Sequence, residues 1–509
     1  MNRSGLWACV ALAWLAGGCG DDRGRAPSDA GGFADAAVGM DAGGPRDAGP
    51  ALDGTTPEAD AGGLDDAGAS MPDATTGEDA GVAPDSGCAP PYHCPAYPSP
   101  RVEWASDYSG GPAYIGDVAF DSGGGVVLCG TYVGAVDLGG GPIVLSGTRN
   151  MFVARMNVDG TLAWTRRIVA SDRDVAVNGV AVDASGNVYA SGWGTGTLDF
   201  GAGPVAGPPA GGLRPGFVVK LDPDGGFVWQ QRFAMLALGS IVVDSMGRPF
   251  VLGTFNSTLD LGAAGMFSSG PGGADQLLVA LAATDGTVRF ARVRGESDRV
   301  DPSGLLAIGP GDDLWVAAAF SSSSGADSGM WLERLDPMGM PRWHRRDVAP
   351  AAPLTPEVFD LGVGGTGDAV LLGKGAPDFG DGALSGTWIA RFAGADGAYE
   401  WSDLALGPQR LAVDESDRIW VSGNWSGVSL SLRPAPCTFA TAGYGPYLLE
   451  LDAAGAYVGF GAFTNAGTFA MAARAGRVAV AGRSNDPVDL GCGPRMSDFE
   501  EPFVVSLTH

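Results

Sequence analysis

A tryptophan-centred segment recurs along this chain at an almost constant interval. The intervals between the equivalent residues of its seven copies are 60, 65, 61, 53, 58 and 58 residues, and those residues are Trp104, Trp164, Trp229, Phe290, Trp343, Trp401 and Gly459. A period of this length is typical of supersecondary units that bury their apolar faces against neighbouring copies, as in solenoids and propellers. The repeat therefore predicts the architecture but does not identify a ligand.

Each copy is predicted to contain four strands. The clearest copy separates, at Gly-, Pro- and Asp-containing turns, into segments rich in Val, Phe, Trp and Tyr. These are strand a from Val177 to Asp183, strand b from Val188 to Trp193, strand c from Phe217 to Asp222 and strand d from Phe227 to Phe233. The a–b and c–d turns are tight, whereas the b–c and d–a connections are long. Beyond residue 19 no segment has a sustained period of 3.6, so the folded part is predicted to be all-β.

The two ends of the repeat array predict a closed ring. The last copy stops at His509 before any strand d, and the segment from Arg101 to Tyr108 is a strand d with no copy before it. A ring can pair this leading strand with the final copy, which leaves only short, protected strand edges. We therefore predict a seven-bladed β-propeller of four-stranded blades over residues 101–509, closed by the N-terminal strand pairing with the last blade.

The repeat text itself resembles a known family. The segments VAVDASGNVYASGW, LDFG and FVVKLDPDGGFVW resemble the bacterial seven-bladed propeller repeats of secreted and lipid-anchored proteins, and the resemblance covers residues 101–509. The text from Ala280 to Phe290 is also similar to the tryptophan-docking repeat of quinoprotein-type propellers. That second resemblance would imply an adjacent cysteine pair beside a quinone, but no Cys-Cys occurs, so no cofactor is predicted. Because the fold hosts enzymes, lectins and scaffolds, neither resemblance implies one activity.

The N-terminus resembles a bacterial lipoprotein signal. MNRSGLWACVALAWLAGGC has one Arg, an apolar run from Leu6 to Ala16 that is too short for a permanent membrane span, and small residues before Cys19. We predict residues 1–19 to be the signal and Cys19 to be lipidated. The protein would then be exported and membrane-anchored at the bacterial cell envelope, on the periplasmic side or the cell surface. An ordinary secretory signal is the alternative, because Ala16 stands where Leu or Val is commoner.

Residues 20–87 are predicted to be a disordered tether. They contain six Asp-Ala-Gly triplets, with fifteen acidic and three basic residues, and too little apolar surface to fold. A partner-binding acidic tail is the alternative. Residues 88–100 form a Cys- and Pro-rich neck. The net charge of −27 disfavours nucleic acid, since a phosphate backbone needs a positive surface. We expect a monomer whose partners are the membrane, through its lipid anchor, and a protein or glycan ligand.

The cysteines suggest two disulfides in an oxidising compartment. Cys88 and Cys94 flank the proline-rich neck and are predicted to bond to each other. Cys437 and Cys492 lie in predicted b–c loops of the sixth and seventh copies, where a bridge would join two blades; two unpaired or separately buried thiols are the alternative. Cys129 lies within a predicted strand b and is expected to be a buried thiol.

The motifs that look catalytic are better explained by the repeat. Five Asp-Phe-Gly or Asp-Leu-Gly tripeptides occur in register, which indicates a repeated turn rather than a kinase motif; they begin at Asp137, Asp199, Asp260, Asp378 and Asp489. GVGGTG, from Gly362, lies in a predicted a–b turn with no helix after it to bind a pyrophosphate. The three histidines, His93, His344 and His509, fall in the neck, in a predicted outer strand and at the C-terminus, so they do not form a cluster. We predict no catalytic residue and no metal site, and we expect turn residues such as Asp222 to cap turns rather than bind Ca²⁺.

Aromatic residues at the end of strand b are the candidate binding residues. They lie beside the rim formed by the long b–c and d–a connections, and they are Tyr132, Trp193, Phe255, Phe320 and Trp425. Aromatic faces can stack on sugars or anchor protein partners, and packing between blades is the alternative explanation. We therefore predict a non-enzymatic binding or scaffold protein. The alternative function is an enzyme acting on polysaccharide, which would require convergent carboxylates on this rim or in the central channel.

Overall fold

The structure is a computed structural model, and it contains seven four-stranded antiparallel blades. It describes residues 99–509 apart from positions 146, 148, 173, 209–213, 235, 270–273, 295–303, 322–327, 350–356, 381, 383, 405–406, 431–436, 464–465, 485–487, 490–493 and 496–500. In this range helical structure is confined to two short 3-10 turns, Gly262–Ala264 and Pro310–Asp312. No helix among these residues is long and apolar enough to span a membrane. The predicted all-β class is confirmed.

In blades 1–6 the strands follow one another along the chain, from strand a nearest the axis to strand d at the outside. Blade 1 consists of Ala113–Phe120, Val126–Tyr132, Asn150–Met156 and Leu162–Ala170. Blade 2 consists of Val175–Val182, Val188–Gly194, Gly216–Leu221 and Phe227–Phe233. Blade 3 consists of Ala237–Val243, Pro249–Phe255, Asp275–Leu281 and Val288–Arg294. Blade 4 consists of Leu305–Ile308, Leu314–Ser321, Ser328–Leu335 and Pro341–Ala349.

The remaining blades follow the same order. Blade 5 consists of Glu357–Val363, Ala369–Gly375, Gly386–Phe392 and Tyr399–Leu404. Blade 6 consists of Pro408–Val413, Ile419–Leu430, Cys437–Leu451 and Tyr457–Ala462. Blade 7 consists of Ala466–Arg474, Arg477–Ser484 and Glu501–Thr508, with Arg101–Asp107 as its strand d.

The blades form a closed ring. Each strand a contacts the strands a of the two neighbouring blades, and this circuit includes a contact between blades 7 and 1. An apolar core of buried side chains lies at every interface between adjacent blades in the described part of the chain. Burial therefore occurs between copies rather than within one copy, as the period predicts.

The N-terminal strand closes blade 7, as predicted. Arg101–Asp107 pairs antiparallel with Glu501–Thr508, so that Val102 lies opposite Leu507. Trp104, at the centre of this strand, is 1% exposed. The first and last strands of the propeller thus share one sheet.

The repeated tryptophan docks onto the next blade. Trp164 of blade 1 donates its indole N–H to the carbonyl oxygen of Pro223, in the c–d turn of blade 2, at 2.9 Å. A Cβ atom at Gly225, whose φ is +77°, would lie 2.8 Å from the Trp164 ring. The turn glycine is therefore required twice, by its positive φ and by the close approach of the ring. This contact explains why tryptophan and Asp-Gly turns recur with one period.

Several b–c connections contain a small hairpin on the long-loop rim. These hairpins are Ala135–Asp137 with Pro142–Val144, Leu198–Asp199 with Pro204–Val205, Thr258–Asp260 with Met266–Ser268, and Val488–Asp489 with Pro494–Arg495. In the second of these, Leu198 also pairs with Ala170 of blade 1. Here a loop of one blade extends the sheet of its neighbour.

Blade 6 departs from the predicted loop structure. Its strands b and c run to 12 and 15 residues and pair beyond the rest of the blade. Cys437, predicted to lie in a b–c loop, is instead the first residue of strand c and pairs with Leu430. The prediction failed there because Gly and Ala, which are depleted in strands, make up four of the nine residues from Cys437 to Gly445.

Candidate functional site

The described aromatic residues of the predicted rim are buried. Tyr132 and Phe255 are 0% exposed, Phe320 is 4% exposed and Trp193 is 6% exposed. These low exposures favour packing within and between blades, so a ligand could stack on the rings only after local rearrangement. Trp425 pairs with Gly445 through its backbone, and its side chain lies outside the described residues. Binding by these five aromatics stays a prediction.

Arginine side chains cover two of these rings. The guanidinium of Arg214 lies 4.0 Å from the centre of the Trp193 ring and forms an ion pair with Asp174 at 3.2 Å. The guanidinium of Arg346 lies 4.3 Å from the centre of the Phe320 ring. A flat cation over an aromatic face uses the surface on which a sugar would stack.

The Asp-Phe-Gly and Asp-Leu-Gly motifs that begin at Asp137, Asp199, Asp260 and Asp378 form turns. Oδ1 of Asp137 accepts the backbone N–H groups of Gly139 and Gly141 at 2.8 and 3.0 Å. Asp199 and Asp378 make the same pair of bonds to the glycines two and four residues further on. The carboxylates organise the turns, as the register of the repeats predicted.

The central channel contains charged residues that the sequence analysis missed. Asp117 lies on strand a of blade 1, directly after a β-bulge at Gly116. Asp360 occupies the same place on strand a of blade 5, and Arg410 occupies it on strand a of blade 6. In the sequence, these residues could have been recognised as charged residues within a predicted strand a. Each side chain is half-buried, as expected for a residue that lines a channel.

The channel carboxylates link adjacent blades. Asp117 accepts the N–H of Val118 at 2.9 Å with one oxygen and the N–H of Val180, in blade 2, at 2.9 Å with the other. Asp360 makes the equivalent bonds to Leu361 at 3.0 Å and to Leu411 of blade 6 at 2.9 Å. Both oxygens of each carboxylate therefore have a backbone partner.

Other channel residues form similar links without a carboxylate. The Asn178 side chain of blade 2 donates to the carbonyl of Leu238 in blade 3 at 3.1 Å. Arg410 donates from Nε to the carbonyl of Phe469 in blade 7. Asn178 lies at the bulge itself, one residue before the position that corresponds to Asp117, so both residue type and position vary while neighbouring strands a stay joined.

The electrostatics of the channel favour protonation of its carboxyl groups. Burial raises the pKa of Asp117 to about 7, the negative charge of Asp360 adds to this, and the two N–H bonds and Arg410 oppose it. Burial also raises the pKa of Asp360, against the lowering effect of Arg410 and of its own N–H bonds. A carboxyl group with a pKa near neutrality can act chemically as a general acid or base.

The described residues contain no group of three or more His, Cys, Asp and Glu side chains arranged to hold a metal ion. The turn residue Asp222 accepts the N–H groups of Asp224 and Gly226 at 3.0 and 2.6 Å, and Asp183 caps its turn in the same way. These contacts agree with the predicted turn-capping role.

The cysteine predictions are tested only at one position. Cys129 is a free, fully buried thiol in strand b of blade 1, as expected. Cys19, Cys88, Cys94 and Cys492 lie outside the described residues, so lipidation and both disulfides stay predictions.

Comparison with known proteins supports the architecture. Residues 163–199 match the model of a beta-propeller repeat family. This segment runs from strand d of blade 1 to the Asp-Phe-Gly hairpin of blade 2. No curated protein matches the sequence.

Three of the similar solved structures are proteins with different descriptions. The uncomplexed acylaminoacyl peptidase of Pyrococcus horikoshii is 10% identical over 77% of this chain and 52% of its own, with a TM-score of 0.40. Polysaccharide lyase Uly1 is 10% identical over 77% and 89% of the two chains, with a TM-score of 0.42. The Dos1 propeller is 8% identical over 79% and 95%, with a TM-score of 0.38.

These likenesses carry no argument about activity. This chain spans about half the length of the peptidase that it matches. Together, the strand order, the closed circuit of blades and the matched repeat show that the chain is a seven-bladed β-propeller with a segment similar to the beta-propeller repeat family.

Proposed function

We propose that this protein is a non-enzymatic binding or scaffold lipoprotein of the bacterial cell envelope, whose long-loop rim holds a protein or glycan partner. The observation that carries the proposal is the bonding of Asp117 and Asp360. Both oxygens of each carboxylate accept backbone N–H groups, and one of those groups belongs to the next blade. A carboxyl group that exchanges protons with a substrate must be free to approach it. The bonding therefore favours a structural role for the channel acids.

A polysaccharide-acting enzyme is the second candidate, and one observation favours it. Burial, with a smaller contribution from the charge of Asp360, raises the pKa of Asp117 to about 7, and enzymes that cleave glycosidic bonds use a carboxylic acid with a raised pKa as their general acid. We rank this candidate second because proton transfer would require breaking contacts that hold two blades together.

The two candidates differ in whether a bound polysaccharide is cut. The full-length protein is incubated with a panel of neutral and acidic polysaccharides, and retention on the immobilised polymer is measured beside the release of reducing ends and unsaturated products. We expect no turnover under any condition. Release of products by the wild type that is lost in Asp117→Asn and Asp360→Asn, but kept in the hairpin-turn control Asp260→Asn, would overturn the proposed function.

The anchoring part of the proposal rests on Cys19 at the end of the apolar run. Lipidation there would hold the propeller at a membrane through the acidic segment of residues 20–87. Metabolic labelling with a fatty acid is expected to tag the wild type and to leave Cys19→Ser unlabelled. Equal labelling of the two proteins, or none in either, contradicts lipid anchoring and leaves the binding function untouched.

A further inference from the structure

Blade 6 carries a two-stranded ribbon that extends beyond its sheet. Strand a of this blade pairs with strand b only as far as Gly423, and strand d pairs with strand c only from Tyr447 onwards. Strands b and c nevertheless continue to pair with each other up to Leu430 and Cys437. We call residues 424–430 and 437–446 the blade-6 ribbon. It lies on the long-loop rim, since it belongs to the b–c connection.

On both outer edges of the ribbon, backbone hydrogen-bonding groups are directed away from the paired strand. The last bonds to the flanking elements run from the N–H of Asn424 to the carbonyl of Gly407 at 3.3 Å and from the N–H of Phe463 to the carbonyl of Pro446 at 2.9 Å. Alternate residues of an antiparallel strand direct their N–H and C=O groups to the same side. Ser426 and Tyr444, which pair with each other, are therefore the next residues to direct these groups outward. Among the residues that the structure describes, no strand pairs with either outer edge there.

The ribbon has no charged residue along its edges, and its two other edge-protecting features, Pro446 and the bulge between Gly427 and Ser429, leave Ser426 and Tyr444 paired in regular register. Natural sheets block edge pairing with charges, and lysine is used most often. The ribbon sequences NWSGVSL and CTFATAGYGP contain no charged residue, although the chain as a whole carries a net charge of −27. They do contain aromatic and β-branched residues, which favour strand pairing. An uncharged, β-prone edge of this kind is suited to accept another strand.

The charge of the molecule restricts what that strand can be. Two copies of this chain would bring two net charges of −27 together, which opposes pairing between identical ribbons. The acidic segment of residues 20–87 is rich in Gly, Pro and Asp, which are depleted in strands, and it carries the same sign of charge. A neutral or basic segment of another protein meets neither obstacle.

We propose that the blade-6 ribbon binds an extended, neutral or basic polypeptide segment by adding it as a further β-strand. The inference rests on the proposed binding function and assigns the class of its partner. Backbone hydrogen bonds to Ser426 or Tyr444 would supply affinity, and side chains of alternate residues would supply specificity. Binding of this kind requires extended backbone in the partner and is weakened wherever the ribbon loses an outward N–H group.

The probe is a short fluorescent synthetic peptide that alternates lysine with valine and threonine. Its affinity for the full-length protein is measured by fluorescence anisotropy beside a glutamate version and a version interrupted by proline. We expect the lysine peptide to bind best and the proline version to bind least. Ser426→Pro or Tyr444→Pro, at whichever edge is used, should weaken binding at least about tenfold, the equivalent of one lost hydrogen bond of about 1.4 kcal/mol.

Matched variants separate edge pairing from damage to the fold. Ser426→Ala and Tyr444→Ala keep the backbone N–H groups and should bind like the wild type. A further variant, in which residues 425–444 are replaced by an Asn-Gly turn, should keep the melting temperature of the propeller and lose peptide binding. Equal affinity of the proline and alanine variants at both edges, or absence of lysine-peptide binding by the wild type, overturns the inference.

Other outcomes would identify a different partner of the ribbon or would contradict the proposed function itself. Concentration-dependent dimerisation of the wild type that disappears in Ser426→Pro would show a second copy on the edge and overturn the proposed partner class. Binding of the lysine peptide by the variant without the ribbon would overturn the ribbon as the binding element and leave the binding function standing. Polysaccharide turnover would instead overturn the proposed function, whatever the peptide does.

Discussion

The interface between blades 2 and 3 differs from the interface between blades 6 and 7 in the contacts made at equivalent repeat positions. At the first, Lys220 of strand c and Trp229 of strand d both donate to the carbonyl oxygen of Ala283, at 2.9 and 3.1 Å. At the second, Glu450 stands in the place of the lysine and Gly459 in the place of the tryptophan. Both donors of the regular interface are absent there.

The c–d turn of the receiving blade explains this difference. Ala283 lies in such a turn, whereas strands c and d of blade 7 come from opposite ends of the sequence, with Arg101 opposite Thr508. A turn carbonyl is therefore not present for a cation and an indole to share. Glu450 instead contacts the His509 ring, with Oε2 2.8 Å from Nδ1. The residue type at one repeat position thus depends on which hydrogen-bonding groups the neighbouring blade presents.

The interface between blades 7 and 1 shows a third arrangement. The ring of Trp104 packs against Gly160 of blade 1, but its buried indole nitrogen finds no acceptor among the described residues. Arg477, from the a–b hairpin of blade 7, donates to the carbonyl of Gly124 in blade 1 at 2.7 Å and pairs with Glu103 at 2.6 Å. A polar contact from the tight-turn rim replaces the indole bond.

Removing the strand that closes the ring is expected to have the largest effect. Deletion of residues 101–107 takes away Trp104 and a whole row of backbone hydrogen bonds to Glu501–Thr508, so we expect a loss on the order of 5 kcal/mol or more in unfolding free energy. Thermal unfolding followed by circular dichroism measures it. An unchanged melting temperature would show that blade 7 does not need this strand.

The carboxyl link between blades 1 and 2 should make stability depend on pH, unlike the amide link of Asn178 between blades 2 and 3. The pKa of Asp117 is raised to about 7, so between pH 4 and 7 the folded state keeps a proton that the unfolded state loses. The unfolding free energy should therefore fall as pH rises through this range, by up to about 4 kcal/mol. Chemical denaturation at several pH values tests this. Asp117→Asn should flatten the slope and the exposed-turn control Asp260→Asn should keep it; identical slopes in the two variants would refute the assignment.

The indole hydrogen bond can be compared directly between a regular interface and the closing one. Trp229→Phe removes a bond to Ala283, whereas Trp104→Phe removes an N–H group that has no acceptor among the described residues. Both rings are nearly buried, so the loss of ring volume is similar in the two variants. Trp229→Phe should therefore cost about 1 kcal/mol more in unfolding free energy. A larger cost for Trp104→Phe in urea denaturation would show that the two interfaces do not differ in this way.

The smallest effect is expected at the contact between Glu450 and His509. The His509 side chain is 49% exposed, and Arg418 also pairs with Glu450, at 2.5 Å. His509→Ala should thus cost at most about 1 kcal/mol in unfolding free energy. Lys220→Ala, measured in parallel, should cost more, because it leaves the Ala283 carbonyl with one donor fewer. Equal costs would mean that the two interfaces are closer in strength than their contacts indicate.

Much of the fold could be predicted because each contact of the repeat is encoded locally. Trp164 and Gly225 recur with the period of the chain, since each blade docks onto the next by the same pair. Asp137 and its two glycines form their turn within five residues of sequence. Contacts within one turn, or between one copy and the next, leave a periodic pattern in the sequence, and that pattern determined the number of blades, the strand order and the closing strand.

The candidate site could not be read in the same way. Asp117 and Asp360 lie on blades 1 and 5, and only closure of the ring brings their charges within reach of each other. The burial of Tyr132 and Trp193 likewise depends on neighbouring blades and on Arg214, which the repeat does not specify. The extended pairing of blade 6 left no periodic signal in its sequence.

The sequence alone therefore determined a seven-bladed ring and the turns between its strands. It could do so because each repeat contains the residues that contact the next blade. Tertiary structure alone decided which side chains meet in the channel, which aromatic residues are covered and which strand edge is left without a described partner. These depend on contacts between distant blades, and a distant contact imposes no period on the residues that make it.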